Sequence, residues 1–311
     1  MKRGVPVTIH LIDASPYIFR AFHSLPKSLT DPQGRMVNAV YGFASFLVKY
    51  LVDERPTHAG VAFDQNLNSS FRNELLATYK ATRHDTPAEL EQQLPLCLEV
   101  AQALGLATFI DPDYEADDLI ASIIERTRTA GRGYVVVTVD KDLSQLVGDD
   151  VTLYDPGKSV RLDADGVRRK YGVRPDQITD WVALAGDSVD NIPGVAGIGP
   201  STAADLLNRY GSLEGVYANL DDLRKRGLRA RSMAMQLAKE VQNAGLSKRL
   251  ATLASDAPVQ VSLRRLAYGG VDEESLKPLF TRLIISSPGW RRGCRDAQTF
   301  NAAIAPRAPR G

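Results

Sequence analysis

Residues 108–131, TFIDPDYEADDLIASIIERTRTAG, decide the fold. The stretch passes from a short apolar run through an acidic turn into a helical pattern that reads as Ala116–Ala130 and closes at Gly131, a usual helix stop. The rest of the N-terminal half repeats this strand-to-helix pattern. Val7–Ile12, Ala59–Phe63, Tyr134–Val139 and Val151–Tyr154 are further apolar runs of strand length. Val40–Val52 and Leu94–Leu104 place apolar residues three and four apart, as amphipathic helices do. Near-continuous apolar strands alternating with helices predict an α/β fold with a mostly parallel central sheet flanked by helices. No strand series is apparent after about Asp155. Pro175–Gly186 reads as a helix with proline in its first turn, and further helices with basic faces follow. The expected organisation is an α/β domain over 1–165, a helical region over 166–285, and a flexible tail rich in Pro, Gly and Arg over 286–311.

Composition excludes several classes. The chain has 311 residues, 44% hydrophobic and 24% charged, values of an ordinary globular protein. Two distant cysteines, Cys97 and Cys294, offer neither a disulfide framework nor zinc-ligand spacing, which suits a reducing cytosol. No apolar run approaches the roughly 20 residues of a membrane span. The net charge is +1, but its distribution is uneven: residues 111–118 carry five acids and no base, and residues 224–231 five bases and no acid. Such segregation fits a metal site beside a phosphate-binding surface, or simply two solvated faces.

Three strands run toward an aspartate: Asp13, Asp64 and Asp140. Ligands of open parallel sheets bind beyond the carboxyl ends of the strands, so these distant acids should meet in one crevice. Asp142 follows Asp140 by two residues. Glu115, Asp117 and Asp118 open a helix at the same end of the sheet, and Asp187 and Asp190 are three apart in GDSVDN. Each acid has a plain structural reading as a turn or helix-start residue. Nine together would repel one another and raise their pKa values unless a counter-charge were present. Hard divalent cations such as Mg²⁺ or Mn²⁺ supply it through oxygen ligands. Two such ions ~3.5–4 Å apart can activate water and stabilise the leaving oxygen in phosphodiester cleavage.

The motifs LIDASPYIFRAFHSLP, VAFDQ, YEADDLIAS, TVDKDLSQLV and ITDWVALAGDSVDNIPGVAGIGPSTAADLL, in that order, resemble the 5′-nuclease family. That family comprises the N-terminal 5′→3′ exonuclease domain of bacterial DNA polymerase I, the phage exonucleases and the flap endonucleases. With NAVYGFASFLVKYL, SFRNELLATYKATR and YGSLEGVYANLDDL, the matching stretches span about Ile9–Leu223. The resemblance implies a structure-selective 5′→3′ exonuclease or flap endonuclease that cuts DNA near free 5′ ends with two divalent cations. By position, Asp13, Asp64, Glu115 and Asp117 look like ligands of a first metal. Asp117, Asp140, Asp142 and Asp190 look like those of a second, and Asp118 and Asp187 match acids acting directly or through water.

The family also implies a helical arch at about 65–95, with Arg72, Lys80 and Arg83 at its basic positions. If helical, these three share one face. Lys80 and Arg83, with Asp117 and Asp142, are the expected catalytic residues, and Tyr79 is placed to stack on an unpaired base. Arg20 matches a less specific basic position. Gly194–Gly199 followed by an apolar-periodic helix reads as a helix–hairpin–helix at about 190–223. There Gly197, Gly199, Ser201 and Thr202 can hold a duplex phosphate through backbone N–H groups, and family members place K⁺ among the hairpin carbonyls. The expected partners are DNA with a free 5′ end and a separate DNA polymerase or other repair protein. The expected state is a free-standing monomer in the bacterial cytosol. Two alternatives, a PIN-type RNA nuclease and a non-catalytic DNA-end binding protein, are disfavoured by the hairpin motif and by the complete acid set.

Overall fold

The computed structural model describes residues 7–67, 70–83 and 86–271 and the single positions 274 and 278. The expected tail at 286–311 lies outside the described residues. Six strands build one sheet: β1 (Thr8–Asp13), β2 (His58–Asp64), β3 (Ala107–Asp111), β4 (Gly133–Val137), β5 (Val151–Asp155) and β6 (Val160–Leu162), in the order β3-β2-β1-β4-β5-β6. The first five are parallel; β6 pairs antiparallel with β5. The sequence shows no strand after Asp155, yet β6 forms there. Its exposed Val160 and Arg161 give none of the apolar continuity that marks the inner strands. β4 stops at Val137, so Asp140 stands on the turn beyond it and not at the strand end.

Both faces of the sheet are covered, because alternate residues of the apolar strands point opposite ways. On one face Ile12, Val61, Phe63, Val135 and Val137 pack against α1 (Ser15–Ser24), α2 (Asn38–Glu54) and α5 (Leu94–Ala103). Two single-turn helices, α3 (Arg72–Leu75) and α4 (Ala88–Glu91), lie between α2 and α5 in the chain. On the other face Ile9, Leu11, Tyr134, Val136 and Leu153 pack against α6 (Ala116–Thr127). The same apolar cluster continues into the helical half. That half comprises α7 (Ala164–Tyr171), α8 (Ile178–Ala185), α9 (Pro200–Tyr210), α10 (Leu213–Ala218), α11 (Leu220–Arg224), α12 (Leu228–Lys239), α13 (Val241–Ala251) and α14 (Leu263–Leu266). Each fully buried aliphatic or aromatic side chain contributes about 1.5–3 kcal/mol, so a core shared in this way ties the two halves firmly together. Among the described residues no helix is long and apolar enough to cross a membrane.

Several ends follow from single residues. α6 opens with a capping box in which Glu115 and Asp118 satisfy each other's backbone N–H groups. It ends at Thr127, short of Gly131, because Arg128 adopts an extended conformation. Asp163 caps α7 through Gly166 N at 2.7 Å, and Gly172 closes it in the left-handed region. The Pro175 helix starts as a 3₁₀ turn, Pro175–Gln177, before α8.

The segment 65–95, expected as a helical arch, forms only the single turns α3 and α4 and the start of α5 among the described residues. Arg72–Leu75 is one helical turn, Leu76 is extended, and Lys80 lies in the left-handed region with φ 58°. Arg72, Lys80 and Arg83 therefore share no helical face, and tertiary partners decide where each one goes. Arg72 is fully buried. Its guanidinium donates to both oxygens of Asp118 at 2.7 and 2.8 Å and to the carbonyls of Leu250 and Thr252. Asp118 is equally buried and also accepts from Ala254 N at 2.7 Å. The DNA contact expected of Arg72 and the metal contact expected of Asp118 are both corrected by this pair, which consumes the polar atoms of each. It bolts α3 to α6, to the end of α13 and to the chain just after it.

Arg72→Ala leaves a buried carboxylate uncompensated and should cost about 3–5 kcal/mol, while Arg72→Met combined with Asp118→Leu should cost distinctly less. Urea unfolding of both variants checks this; equal losses would mean that the pair is not acting as a buried ion pair.

Candidate metal centre

The crevice lies beyond the carboxyl ends of β1, β2 and β3. A cavity of about 180 Å³ there is lined by Asp13, Asp64, Glu115, Asp117, Asp140 and Asp190, with Lys80 and Arg83 on its wall. Asp142, Asp187 and Asp190 form a second group, with carboxylate oxygens within 4.8 Å of one another. Asp190 belongs to both groups. The structure thus brings eight of the nine expected acids to one crevice and its flank, and holds Asp118 apart in its pair with Arg72.

Each acid is held by a local partner. Asp13 accepts from Thr138 Oγ1 at 2.8 Å, and the same hydroxyl accepts from Asp140 N at 2.9 Å. Asp64 accepts from Ser15 Oγ at 2.5 Å and from Ala116 N at 2.8 Å, so the start of α6 is docked on the end of β2. Asp140 in turn accepts from Asp142 N at 2.9 Å. The cations come from two loops. Lys80 donates to Glu115, Arg83 donates to Asp190 at 2.5 Å, and Lys141 donates to Asp187. Ser15, Thr138 and Lys141 are not among the residues that the sequence points to. Of the three, only Lys141 carries a signal there, as the one base in VDKD.

The charges remain unbalanced. Burial, then the neighbouring charges of Asp64 and Asp140, push the Asp13 carboxyl well above the usual range. Burial, then Asp118 and Glu115, do the same to Asp117, and burial raises Asp64. Burial and Asp140 push Asp142 up to about 7. Glu115 goes the other way: burial opposes its charge, but Lys80 and Arg72 hold it below the usual range. Lys141 does the same for Asp187 against its burial. Glu115 Oε1 and Asp142 Oδ1 are buried without a hydrogen-bond partner. A buried carboxylate oxygen without a hydrogen-bond donor is costly. Glu115 Oε1 has Arg72 at 3.6 Å and Asp142 Oδ1 has Lys141 at 3.4 Å as charged neighbours, and such oxygens fit a hard cation ligated by oxygen. The donor set contains no thiolate or imidazole.

One nucleic-acid expectation at this site is corrected. Tyr79 is buried in the core cluster, so its ring offers no stacking surface. Arg20 stays outside the carboxylate cavity. It leans over the Tyr17 ring at 5.1 Å and against Gly157, because α1 carries it away toward the β5–β6 turn.

The hairpin lies directly after the acids. Asp187 and Ile192 bond each other's backbones, and Gly186 and Gly194 touch so closely that a Cβ on Gly194 would stand 2.3 Å from Gly186 N. Both glycines have positive φ, a requirement that the motif alone does not reveal. Val195 and Ile198 are buried, while a Cβ added at Gly197, with φ 81°, or at Gly199 would meet nothing within 4 Å. Gly199 caps α9, whose first turn carries an exposed Ser201 and a half-buried Thr202. Four contacts pin the Thr78–Arg83 loop to this segment: Lys80 N to Asp190 O, Asn191 to Thr78 O, Thr82 to Ser188 O, and Arg83 to Asp190.

Family models match along the chain. Residues 8–172 match the 5′-3′ exonuclease N-terminal resolvase-like domain, and residues 173–274 the 5′-3′ exonuclease C-terminal SAM fold. The chain belongs to the 5′-3′ exonuclease family. DNA polymerase I of Bacillus caldotenax is 40% identical over 277 residues, covering 88% of this chain and 31% of the relative. DNA polymerase I of Mycobacterium leprae is 38% identical, covering 88% and 30%. The chain spans about a third of the length of these relatives. Among solved structures, the bacteriophage T5 D15 protein crystallised with metal ions shares the fold with a TM-score of 0.65 and 19% identity, covering 88% of this chain and 98% of that one. The catalytic core of Rad2 with DNA substrate does so with a TM-score of 0.58 and 14% identity, covering 96% and 92%.

The raised carboxyls set a pH dependence. A carboxyl whose folded pKa is about 7, against an ordinary 3.8, binds more protons folded than unfolded. Its contribution to stability is therefore complete below about pH 4 and fades as pH rises through 7. Without metal, the melting temperature should fall by ~5 °C between pH 5 and 8. Millimolar Mg²⁺ should raise it more at pH 8 than at pH 5. Thermal denaturation in EDTA and in Mg²⁺ tests this, and a metal effect independent of pH would contradict it.

Proposed function

We propose that this chain hydrolyses DNA phosphodiester bonds near free 5′ ends, as a structure-selective 5′→3′ exonuclease or flap endonuclease dependent on divalent cations. The observation that carries the reading is the crevice itself: buried carboxylates with orphaned oxygens, walled by Lys80 and Arg83. Solved relatives with the same fold support it, since T5 5′-exonuclease binds divalent zinc and the Rad2 core binds DNA substrate. Mg²⁺ is the expected ion, with Mn²⁺ able to replace it. Bound cations would supply hydroxide near neutral pH and neutralise the leaving oxygen.

The remaining work falls to the chain. Asp13, Asp64, Glu115, Asp117, Asp140, Asp142, Asp187 and Asp190 supply the ligands. Lys80 and Arg83 exchange their carboxylate partners for the scissile phosphate. Lys80 is held for this by a left-handed backbone, a costly conformation kept in place by the Asp190 carbonyl. Gly197, Gly199, Ser201 and Thr202 present open backbone and hydroxyls to a duplex phosphate, with no sequence preference, and the hairpin carbonyls are the place for K⁺. The chain works as a monomer in the bacterial cytosol, supplying cut ends to a DNA polymerase.

Asp117→Asn should abolish cleavage of a 5′-labelled flap while leaving binding intact or tighter, because a repelling charge is removed. Lys80→Ala should lower the single-turnover rate by roughly 10²–10³ with little change in affinity. Cleavage that persists in EDTA overturns the metal reading. An unchanged rate for Lys80→Ala removes Lys80 from the reaction.

A further inference from the structure

A second cavity, about 150 Å³ in volume, backs onto the carboxylate crevice. The two share Asp140, which lines both. The partition between them is a chain of hydrogen bonds: Asp140 N to Thr138 Oγ1, and Thr138 Oγ1 to Asp13. One side of this partition is acidic. The other side carries Lys158, from the β5–β6 turn, and Lys170, from the last turn of α7. Neither lysine pairs with a carboxylate among the described residues; Lys170 lies over its neighbour Tyr171 and Lys158 is exposed. The nearby Asp155 is occupied by its own turn, accepting from the backbone N–H groups of Gly157 and Lys158.

The floor between the lysines is apolar. Val139 is 49% exposed and Val160 44%, both among the few large apolar side chains that the described surface leaves open. A pair of exposed valines beside a cluster of buried charges adds nothing to the core. An apolar floor between two ammoniums, one step from a carboxylate cluster, matches a sugar–phosphate backbone. A deoxyribose on this floor would lie on the valines, with its phosphates toward the lysines. The alternation of sign also matches, since a strand with one phosphate among metal ions in the crevice would carry the next phosphates over this lysine-lined annex.

We propose that this annex is a backbone subsite for the cut strand, holding the nucleotide next to the scissile phosphate through Lys158 and Lys170 over Val139 and Val160. The subsite rests on the nuclease reading above. Its lysines are positioning residues: they fix which phosphate enters the crevice and take no part in bond breaking. This gives the short antiparallel strand β6 a use beyond the packing of Leu162 on the core, since β6 and its turn put Lys158 and Val160 beside Asp140.

The test uses the full chain and a 5′-flap labelled at its 5′ end. Lys158→Ala combined with Lys170→Ala should weaken binding about tenfold near 0.1 M salt, measured by anisotropy in EDTA. The slope of log affinity against log salt should flatten by roughly 1–2, at about 0.7–0.9 for each phosphate that is no longer neutralised. At saturating enzyme in Mg²⁺ the single-turnover rate should stay within about threefold, while the products spread over neighbouring positions. Lys158→Arg with Lys170→Arg should restore the slope. Val160→Ser should spread the products without altering the slope. A flattened slope with product lengths unchanged would reduce the lysines to general attraction and overturn the subsite. Identity with wild type in every readout would do the same. If wild type cuts and these variants match it, the subsite alone fails. If wild type neither binds nor cuts, the nuclease reading fails and the subsite with it.

Discussion

Repulsion between buried carboxylates is the constraint on which the rest of this molecule depends. Burial first, and then neighbouring carboxylates, push three of them toward protonation: Asp64 and Asp140 act on Asp13, Glu115 on Asp64, and Asp118 and Glu115 on Asp117. Such a cluster survives folding only where something neutralises it, and the chain meets the need in part. Lys80 faces Glu115, Arg83 faces Asp190, Lys141 lies between Asp187 and Asp142, and Arg72 removes Asp118 from the group altogether. The shortfall is local, at Glu115 Oε1 and Asp142 Oδ1. The folded state is therefore strained where chemistry is expected and well satisfied a few ångströms away, where Arg72 and Asp118 bind the helical half to the sheet.

The architecture is largely legible in the residues. Apolar runs mark the five parallel strands, and the ends of β1 and β2 do place Asp13 and Asp64 at the crevice, because parallel topology leaves strand ends no other destination. The departures share one cause. Charge spacing in residues 70–83 mimics helical periodicity, but buried ion pairs outweigh local propensity there. Arg72 is drawn into the interior by Asp118 and two carbonyls, Tyr79 follows it into the core, and Lys80 is forced into a left-handed turn. A single sequence shows that Arg72 is a base. It does not show that its partner lies 46 residues on, with a carbonyl from residue 250. Ser15 and Thr138 are invisible for a simpler reason, since an isolated hydroxyl carries no pattern.

The hairpin segment shows how close packing and chemistry are joined here. Gly186 and Gly194 bring two stretches of backbone into contact and fold Asp187–Ile192 into a small closed loop between them. That loop supplies two carboxylates to the crevice and, through Asp190 O and Asn191, fixes the backbone that carries Lys80.

Asp190 and Gly197 are only seven residues apart, on a segment locked at both ends. For a duplex held at Gly197, the distance from the point of grip to the cut is thus set by covalent backbone rather than by a flexible joint. Such a molecule is a caliper. On the proposed function it would measure a fixed length of helix from the hairpin and cut wherever the far jaw falls, so that the structure of the DNA end, and not its sequence, would be the address it reads.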